Sequence, residues 1–404
     1  MNNLYIFLTN SIRNVGGSQL YIANKTNWLE SIGWEVQTLF YNDGRIIIDR
    51  LKKFEANRYP FLSLDISIST SKDRNTLLSK FKSKKYDKII VESHEVGLCF
   101  WGEFLAKELG GMNICYPLSE NFNKIDSQRR EYFLCKLKDN LLWGIDKGSI
   151  PMLLGSNPET ENRQLLAVGC TENNFSNEDF PLPQLLRGQT ILCLSRLDKP
   201  FIMPMMYSIK SFVLSNKNKL YNLLLIGDAA QQKILHSVLD IVDGIDNLKV
   251  VNTGYINPIP RNLFEHADVA IASAGCVVVT SEAGLLTIAI DAYDHKPMGI
   301  YGVSTTNTLF RENEPILEIP DLLDDILNKK KYDPNEIKTK RCTFSTIDYT
   351  EHYKLIEEYD SSKSYTVKFK LSFKELIKRF IYILFGKSGL DYIGDVLMKY
   401  WFTK

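Results

Sequence analysis

Short apolar runs alternate with helix-like segments along most of the chain, and this alternation is the feature that most limits its fold. The first cycle has an apolar run at Leu4–Leu8, helical apolar spacing at Ser18–Ser31 and a second apolar run at Glu35–Phe40. Such short runs, when they alternate with helices, predict parallel strands that are buried on both faces of a sheet. The sequence therefore predicts a doubly wound α/β fold.

The same alternation restarts in the second half of the chain, which predicts two domains. The predicted strands are Thr190–Leu194, Tyr221–Ile226, Leu248–Asn252 and Val269–Ala272, with helical segments among them. The stretch that precedes them is polar and contains two prolines, so it is typical of a linker. We predict an N-terminal domain at 1–170, a linker at 171–188 and a second domain at 189–345.

Composition excludes several classes of protein. The 404 residues include 49 basic and 48 acidic side chains, so the chain lacks the basic excess of a general nucleic-acid binder. The seven cysteines contain no CxxC pair, and we interpret them as buried small hydrophobic residues in a reducing cytoplasm. No apolar stretch approaches the ~18 residues of a membrane span. We expect a cytoplasmic protein without a metal site.

Loops that follow strands are the candidate binding sites, because ligands of doubly wound sheets lie beyond the carboxyl ends of the strands. Gly16 and Gly17 precede a helix, where backbone N–H groups can approach a phosphate. Ser273 and Gly275 offer N–H groups to a diphosphate in the same way, and Glu282 can accept hydrogen bonds from ribose hydroxyls. Tight turns and a solvent-facing glutamate are the structural alternatives.

Charged residues follow other predicted strands. Arg196 and Lys199 come directly after Thr190–Leu194 and can neutralise a leaving diphosphate, unless this is only a solvated loop. In the first half, His94 and Glu120 each follow a strand and can position an acceptor hydroxyl or act as a base. The polar loop at 305–308 is a further candidate for the donor side.

Several motifs together resemble the retaining family 4 glycosyltransferases, which have the GT-B fold. The matching segments are Gly16-Gly17-Ser18 with Gly33-Trp34-Glu35-Val36, Ser195-Arg196-Leu197-Asp198, Leu223–Asp228, Ala267–Ala283 and, at the end, Phe344-Ser345 with Tyr349–Tyr359. The resemblance spans about residues 4–360. It implies two Rossmann-like domains facing a central cleft, with the acceptor bound by 1–170 and the nucleotide sugar by 189–345. It also implies a helix at 346–360 that crosses back to the first domain.

The resemblance implies a hexosyltransferase that moves a sugar from a nucleotide diphosphate sugar to a glycan or lipid-linked acceptor, in surface polysaccharide biosynthesis and with retention. In the family two glutamates lie eight positions apart; Glu282 matches the second, which contacts the donor ribose, but Ala274 replaces the first. The chain contains no D-x-D pair, so we expect no metal and no cofactor besides the donor substrate. Two alternatives remain: a nucleotide-sugar epimerase of the same fold, and a non-catalytic sugar-nucleotide-binding subunit.

The segment at 361–404 is strongly basic, with nine basic and three acidic side chains. Apolar residues recur at helical spacing from Phe373 to Leu384, while Lys374, Lys378 and Arg379 occupy other positions. This pattern predicts a basic amphipathic helix. We expect this helix to dock either on an anionic membrane surface at the inner face of the cell membrane, or on this protein or a second subunit.

Overall fold

The computed structural model describes residues 2–118, 125–145, 148–156, 160, 175–333, 349–365 and 371–402, with side chains in the last range as far as Ile393. The chain forms two compact units. The first comprises Met1–Arg13, Tyr21–Val168 and Asp348–Lys404, and the second comprises Asn14–Leu20 and Gly169–Ile347.

The described strands and helices are numbered in chain order. The strands are β1 Asn3–Leu8, β2 Trp34–Leu39, β3 Lys88–Ser93, β4 Met112–Cys115, β5 Phe175–Ser176, β6 Gln189–Leu194, β7 Tyr221–Ile226, β8 Leu248–Asn252, β9 Ile259–Pro260, β10 Val269–Ala272, β11 Thr287–Ile290 and β12 Pro297–Ile300. The helices are α1 Gly17–Ser31, α2 Ser71–Ser79, α3 Val96–Leu109, α4 Ser127–Lys138, α5 Ser149–Leu154, α6 Ile202–Ser215, α7 Gln232–Asp240, α8 Asn262–Glu265, α9 Gly275–Glu282, α10 Ile319–Leu323, α11 Thr350–Glu357 and α12 Phe373–Phe402. Short 3-10 segments lie at Asp49–Asn57, Pro60–Ser63 and Ser361–Lys363, and a π-helical turn at Asp324–Asn328 follows α10.

The first unit contains a parallel sheet in the order β2-β1-β3-β4. Leu8 at the end of β1 pairs with Ser93 at the end of β3, so the carboxyl ends of these strands lie at one edge. Helix α3 ends at Gly110, whose φ of 72° gives the left-handed conformation that often closes a helix. Helix α11 packs on this unit, and the Tyr359 hydroxyl behind it donates a 3.0 Å hydrogen bond to the Gly110 carbonyl oxygen.

The second unit contains a six-stranded sheet in the order β12-β11-β10-β6-β7-β8. Its strands are parallel except β12, which runs antiparallel to β11 at the edge. The described part of the predicted linker belongs to this unit: β5 pairs with β9, and Phe180 and Leu182 pack against its apolar core. The predicted doubly wound α/β fold class is confirmed by these two sheets, one parallel and one parallel except for its edge strand β12.

Five of the seven cysteines lie among the described residues. Cys99, Cys115 and Cys193 are buried, and Cys135 and Cys276 are partly buried; none of these five forms a disulfide. Cys170 and Cys342 lie outside the described residues. Burial raises the pKa of the Cys193 thiol well above its usual range, which makes it a poor nucleophile. Within the described ranges, no helix is long and apolar enough to cross a membrane.

Candidate functional site

The turn between β10 and α9 has an unusual backbone. Ala274 adopts φ 56° and ψ −137°, a conformation that costs a residue with a side chain about 1–3 kcal/mol. Its N–H donates a 2.7 Å hydrogen bond to the carbonyl oxygen of Thr308, and the Ser273 hydroxyl donates to the carbonyl oxygen of Ile290 at 2.9 Å. The turn is thereby held so that α9 begins at Gly275.

Glu282 is the last residue of α9 and is partly buried. Because α9 has eight residues, Glu282 lies about 10 Å along the helix axis from Gly275. The turn N–H groups and the carboxylate therefore lie at opposite ends of one short helix. This spacing suits an elongated ligand that is anionic at one end and carries hydroxyl donors at the other.

Strand β6 lies next to β10, with Cys193 opposite Ile271, so the turns after the two strands are neighbours at one edge of the sheet. Arg196 in the β6 turn is half exposed, and its Nε donates a 3.0 Å hydrogen bond to Asp198. Lys199 is partly buried in the same turn. The structure thus places both predicted cations on the strand-end edge that also carries the β10 turn.

The β7 turn packs tightly against the β6 turn. A Cβ atom on Gly227, whose φ is 147°, would lie 1.9 Å from the carbonyl oxygen of Ser195, so only glycine fits there. The N–H of Leu197 donates a 2.9 Å hydrogen bond to the carbonyl oxygen of Asp228. This close approach brings a further carboxylate to the strand-end edge.

Tyr255, three residues after β8, belongs to the same edge and was missed by the sequence analysis. Burial raises the pKa of its hydroxyl to about 12, helped by the negative charges of Asp198 and Asp228 and opposed by Arg196. The tyrosine is therefore neutral at physiological pH and can donate a hydrogen bond. Its position after a predicted strand is the sequence feature that could have identified it as a candidate.

The polar loop at Thr305–Thr308 lies beside the β10 turn and is held by Glu314. This carboxylate accepts hydrogen bonds from the Thr305 hydroxyl at 2.6 Å and the Asn307 amide at 2.7 Å. Burial alone would raise the pKa of Glu314, but these hydrogen bonds and two from backbone N–H groups lower it to about 2. With its oxygens already occupied, Glu314 is not a substitute for the acidic residue that Ala274 replaces.

In the first unit, the end of β3 carries a buried polar cluster. Glu92 accepts hydrogen bonds from the hydroxyl groups of Tyr5 at 2.5 Å and Tyr21 at 2.8 Å, from His94 Nε2 at 2.8 Å, and from the Lys25 ammonium. Burial would raise the pKa of Glu92, but Lys25 and then His94 hold it well below its usual range. Glu92 is therefore an ionised carboxylate at neutral pH.

His94 directly follows β3 and is only 2% exposed. Its ring lies among the rings of Phe7, Tyr21 and Tyr116, at centroid distances of 5.6, 5.6 and 6.4 Å. The second ring nitrogen, Nδ1, is buried and has no hydrogen-bond partner among the described residues. A buried polar atom of this kind is a candidate contact for a substrate.

The remaining predicted site residues of the N-terminal half are Gly16, Gly17 and Glu120. Gly17 is the first residue of α1, and the carbonyl oxygen of Gly16 accepts the 3.0 Å hydrogen bond of the Leu20 N–H. The two glycines therefore stand at a helix start, as predicted. Glu120 lies outside the described residues.

Comparisons with known proteins identify the fold. No protein-family model matches the chain, and no curated protein matches it. Among solved structures, HepE from Anabaena in complex with UDP and glucose has a TM-score of 0.55 at 13% identity, over 88% of this chain and 98% of that one. A glycosyltransferase from Rickettsia africae has a TM-score of 0.55 at 12% identity, over 90% and 96%. UDP-GlcNAc 2-epimerase from Neisseria meningitidis, bound to UDP-GlcNAc, has a TM-score of 0.50 at 12% identity, over 89% and 99%.

These similarities extend over nearly the whole of each matched chain. The protein therefore has a GT-B glycosyltransferase-like fold, which confirms the fold expected from the sequence motifs. Membership of family 4 remains a prediction from those motifs.

Proposed function

We propose that the protein is a glycosyltransferase that moves a sugar from a nucleotide diphosphate sugar to a glycan or lipid-linked acceptor. The observation that carries the proposal is the pair of neighbouring turns after β6 and β10 in the second unit. One supplies Arg196 and Lys199, and the other supplies the start of α9 with Glu282 at its far end. Solved structures of the same fold bound to UDP, glucose and UDP-GlcNAc support this choice of ligand class.

The proposed mechanism is mainly electrostatic. The bond between the anomeric carbon and the diphosphate oxygen breaks, and its electron pair leaves with the nucleoside diphosphate. Arg196, Lys199 and the N–H groups around Ser273 and Gly275 stabilise that negative charge, and Glu282 binds the ribose hydroxyls. Gly16 and Gly17 provide further N–H groups for a phosphate.

The acceptor is bound by the first unit in this proposal. Its hydroxyl oxygen forms the new bond to the sugar, and His94 positions that hydroxyl or takes its proton. We assign Glu120 the same kind of role because it too follows a strand in the sequence. Metal independence is proposed from the lack of a D-x-D pair, and retention from the resemblance to family 4.

The test is to incubate the purified protein with UDP-, GDP- and dTDP-sugars and a membrane extract, with and without EDTA. We expect release of one nucleoside diphosphate, unchanged by EDTA, together with a glycosylated product. Conversion of the nucleotide sugar to its epimer without an acceptor would favour an epimerase. Binding of the nucleotide with no turnover would favour a non-catalytic subunit, in agreement with Ala274 at the position of an acidic residue.

The second part of the proposal concerns α12, which is kinked at Gly386 and contacts the rest of the first unit through polar side chains. Glu375 contacts Arg129 at 3.4 Å, and the Tyr382 hydroxyl donates a 3.1 Å hydrogen bond to Asp73. The ammonium of Lys387 donates a 2.8 Å hydrogen bond to the Ser63 hydroxyl. These contacts attach the helix through polar side chains.

One face of α12 is apolar and exposed to solvent. The apolar residues of this face have exposed fractions between 45% and 80%: Phe373, Leu376, Ile377, Phe380, Ile383 and Leu384. Lys374 and Lys378 are also exposed and flank this face. An apolar helix face flanked by lysines is typical of helices that lie in the interface of an anionic membrane. We therefore propose that α12 docks the protein on the cytoplasmic membrane surface, where it would meet a lipid-linked acceptor of polysaccharide biosynthesis.

Sedimentation with vesicles tests the docking proposal. The protein should sediment with vesicles that contain anionic phospholipid, and Phe380→Glu should reduce the bound fraction severalfold. Ile316→Glu, which changes an exposed apolar residue of the second unit (67% exposed), is the matched control and should leave binding unchanged. Equal binding of wild type and Phe380→Glu would refute the proposal. A dimer that Phe380→Glu dissociates, with no vesicle binding, would identify a second copy of the chain as the occupant instead.

A further inference from the structure

The ion pair of Lys25 and Glu92 lies inside the first unit and is not explained by substrate binding. Their side chains are 2% and 0% exposed. Burying two charges is costly unless both are fully hydrogen-bonded. In the structure, both Lys25 and Glu92 are fully hydrogen-bonded. Their hydrogen bonds determine which protons the neighbouring groups carry.

Both oxygens of the Glu92 carboxylate are fully occupied. Oε1 accepts from the Tyr21 hydroxyl and from His94 Nε2, each at 2.8 Å. Oε2 accepts from the Tyr5 hydroxyl at 2.5 Å and from Lys25. A carboxylate has about four acceptor positions, so Glu92 has none left for a substrate. Since an ionised carboxylate only accepts, the proton of neutral His94 lies on Nε2, and Nδ1 carries the lone pair.

The Lys25 ammonium is also surrounded by acceptors. Besides Glu92, it contacts the hydroxyl oxygens of Tyr5 at 2.8 Å and Tyr21 at 3.0 Å, and His352 Nδ1 at 2.9 Å. An ammonium has no acceptor, so His352 Nδ1 must be unprotonated to take this hydrogen bond. His352 belongs to α11, and through it the C-terminal part of the first unit takes part in the cluster.

We propose that Lys25 and His352 are positioning residues for His94. They keep Glu92 occupied and ionised, Glu92 holds the His94 proton at Nε2, and Nδ1 is left as a hydrogen-bond acceptor for a sugar hydroxyl. This inference rests on the proposed function for the identity of that hydroxyl, but the tautomer of His94 follows from the protein alone.

The charged and titratable groups that face the His94 ring come from three elements. Glu92 and Glu95 come from its own segment, Tyr21 from α1, and Tyr116 from the turn after β4. Lys25 lies beyond Glu92 and balances its negative charge. Without Lys25, the unbalanced carboxylate would favour protonation of His94 Nδ1 and so remove the lone pair.

Nitrogen-15 NMR of the five histidines in the 404-residue chain tests the tautomer directly. The signals of His94 are assigned by their loss in His94→Gln. We expect the Nε2–H tautomer in the wild type, and a mixture of tautomers or a doubly protonated ring in Lys25→Met and in His352→Leu. His352→Gln is the matched control, because its side-chain oxygen can still accept from Lys25, and it should retain the wild-type spectrum.

The pH dependence of sugar transfer gives a second measurement. In Lys25→Met the acidic limb of the kcat/KM profile should move up by about one pH unit or more, and in His352→Gln it should stay in place. Wild-type His94 spectra in folded Lys25→Met and His352→Leu would overturn the proposal. If Lys25→Met does not fold, His352→Leu decides the question alone. If the wild type transfers no sugar but the spectra change as expected, the proposed function fails and the positioning role stands.

Discussion

The N–H of Ala274 donates a 2.7 Å hydrogen bond to the carbonyl oxygen of Thr308, which joins the β10 turn to the polar loop at Thr305–Thr308. Ala274 also has a positive φ of 56°. The hydrogen bond helps to hold a backbone conformation that a residue with a side chain rarely adopts. A strained residue at this position, next to the start of α9, is a feature often found at functional sites.

Ala274→Gly should stabilise the protein by about 1 kcal/mol, because glycine relieves the strain at a modest entropic cost. The free energy of unfolding is measured in urea. Ala283→Gly is the matched control: Ala283 has an ordinary φ of −67° after α9, so glycine should destabilise it by about 0.5–1 kcal/mol. Equal effects of the two substitutions would contradict strain at Ala274.

Glu282→Ala should weaken the binding of the preferred nucleoside diphosphate about 10- to 100-fold, because charge-assisted hydrogen bonds to the ribose are lost. Isothermal titration calorimetry measures the affinity, and circular dichroism should show an unchanged fold. Glu265→Ala, which removes an exposed carboxylate from α8, should leave the affinity as it is. An unaltered affinity in Glu282→Ala would remove this residue from the site.

Lys25→Met should destabilise the protein by about 3–5 kcal/mol, because Glu92 is left as a buried charge without its cation. The double variant Lys25→Met with Glu92→Leu should recover much of this loss. Lys84→Met breaks a pair with Glu35 in which the lysine is 56% exposed, and it should cost less than about 1 kcal/mol. Chemical denaturation of the four proteins gives the comparison. A loss in Lys25→Met as small as that in Lys84→Met would show that the buried pair is not needed for stability.

The stabilisation from Glu314 should depend on pH. Its pKa in the folded protein is lowered to about 2, below the value of about 4.3 expected in the unfolded chain. Its contribution is therefore fully present above pH ~4.3 and is lost as the pH falls through about 2. The difference in unfolding free energy between wild type and Glu314→Gln should shrink over this range, whereas Glu312→Gln, at an exposed neighbour, should show no such change. A difference that stays constant with pH would show that these hydrogen bonds do not depend on the charge of Glu314.

The central strands of the second sheet were predictable because they are buried and parallel. β7 and β10 have the predicted bounds, since an apolar run that ends in a polar turn marks such a strand. The edge strand β12 was not predicted, because Pro297–Ile300 is short and contains a proline and a glycine. Helix α3 begins at Val96, and its residues Leu98–Trp101 are all buried, so this part of the helix lacks the one-sided pattern of a surface helix.

The candidate site was predictable only where it follows a strand. Arg196, Ser273 and His94 were predicted as candidates because topology places loops after strands at one edge of a sheet, and Glu282 because it lies in the helix after such a loop. The cluster beneath His94 was not found. Lys25 lies in a helix among polar neighbours and has the pattern of a surface residue, and only the tertiary fold brings it to Glu92.

The complete set of hydrogen bonds around Glu92 has an evolutionary consequence. Its partners come from β1, α1 and the β3 turn, and Lys25 extends the set to α11. A substitution at one of these positions leaves a buried polar group unpaired, so single changes should be selected against. Among homologous chains, Lys25 and Glu92 are therefore expected to be lost together, with compensating apolar residues in their place.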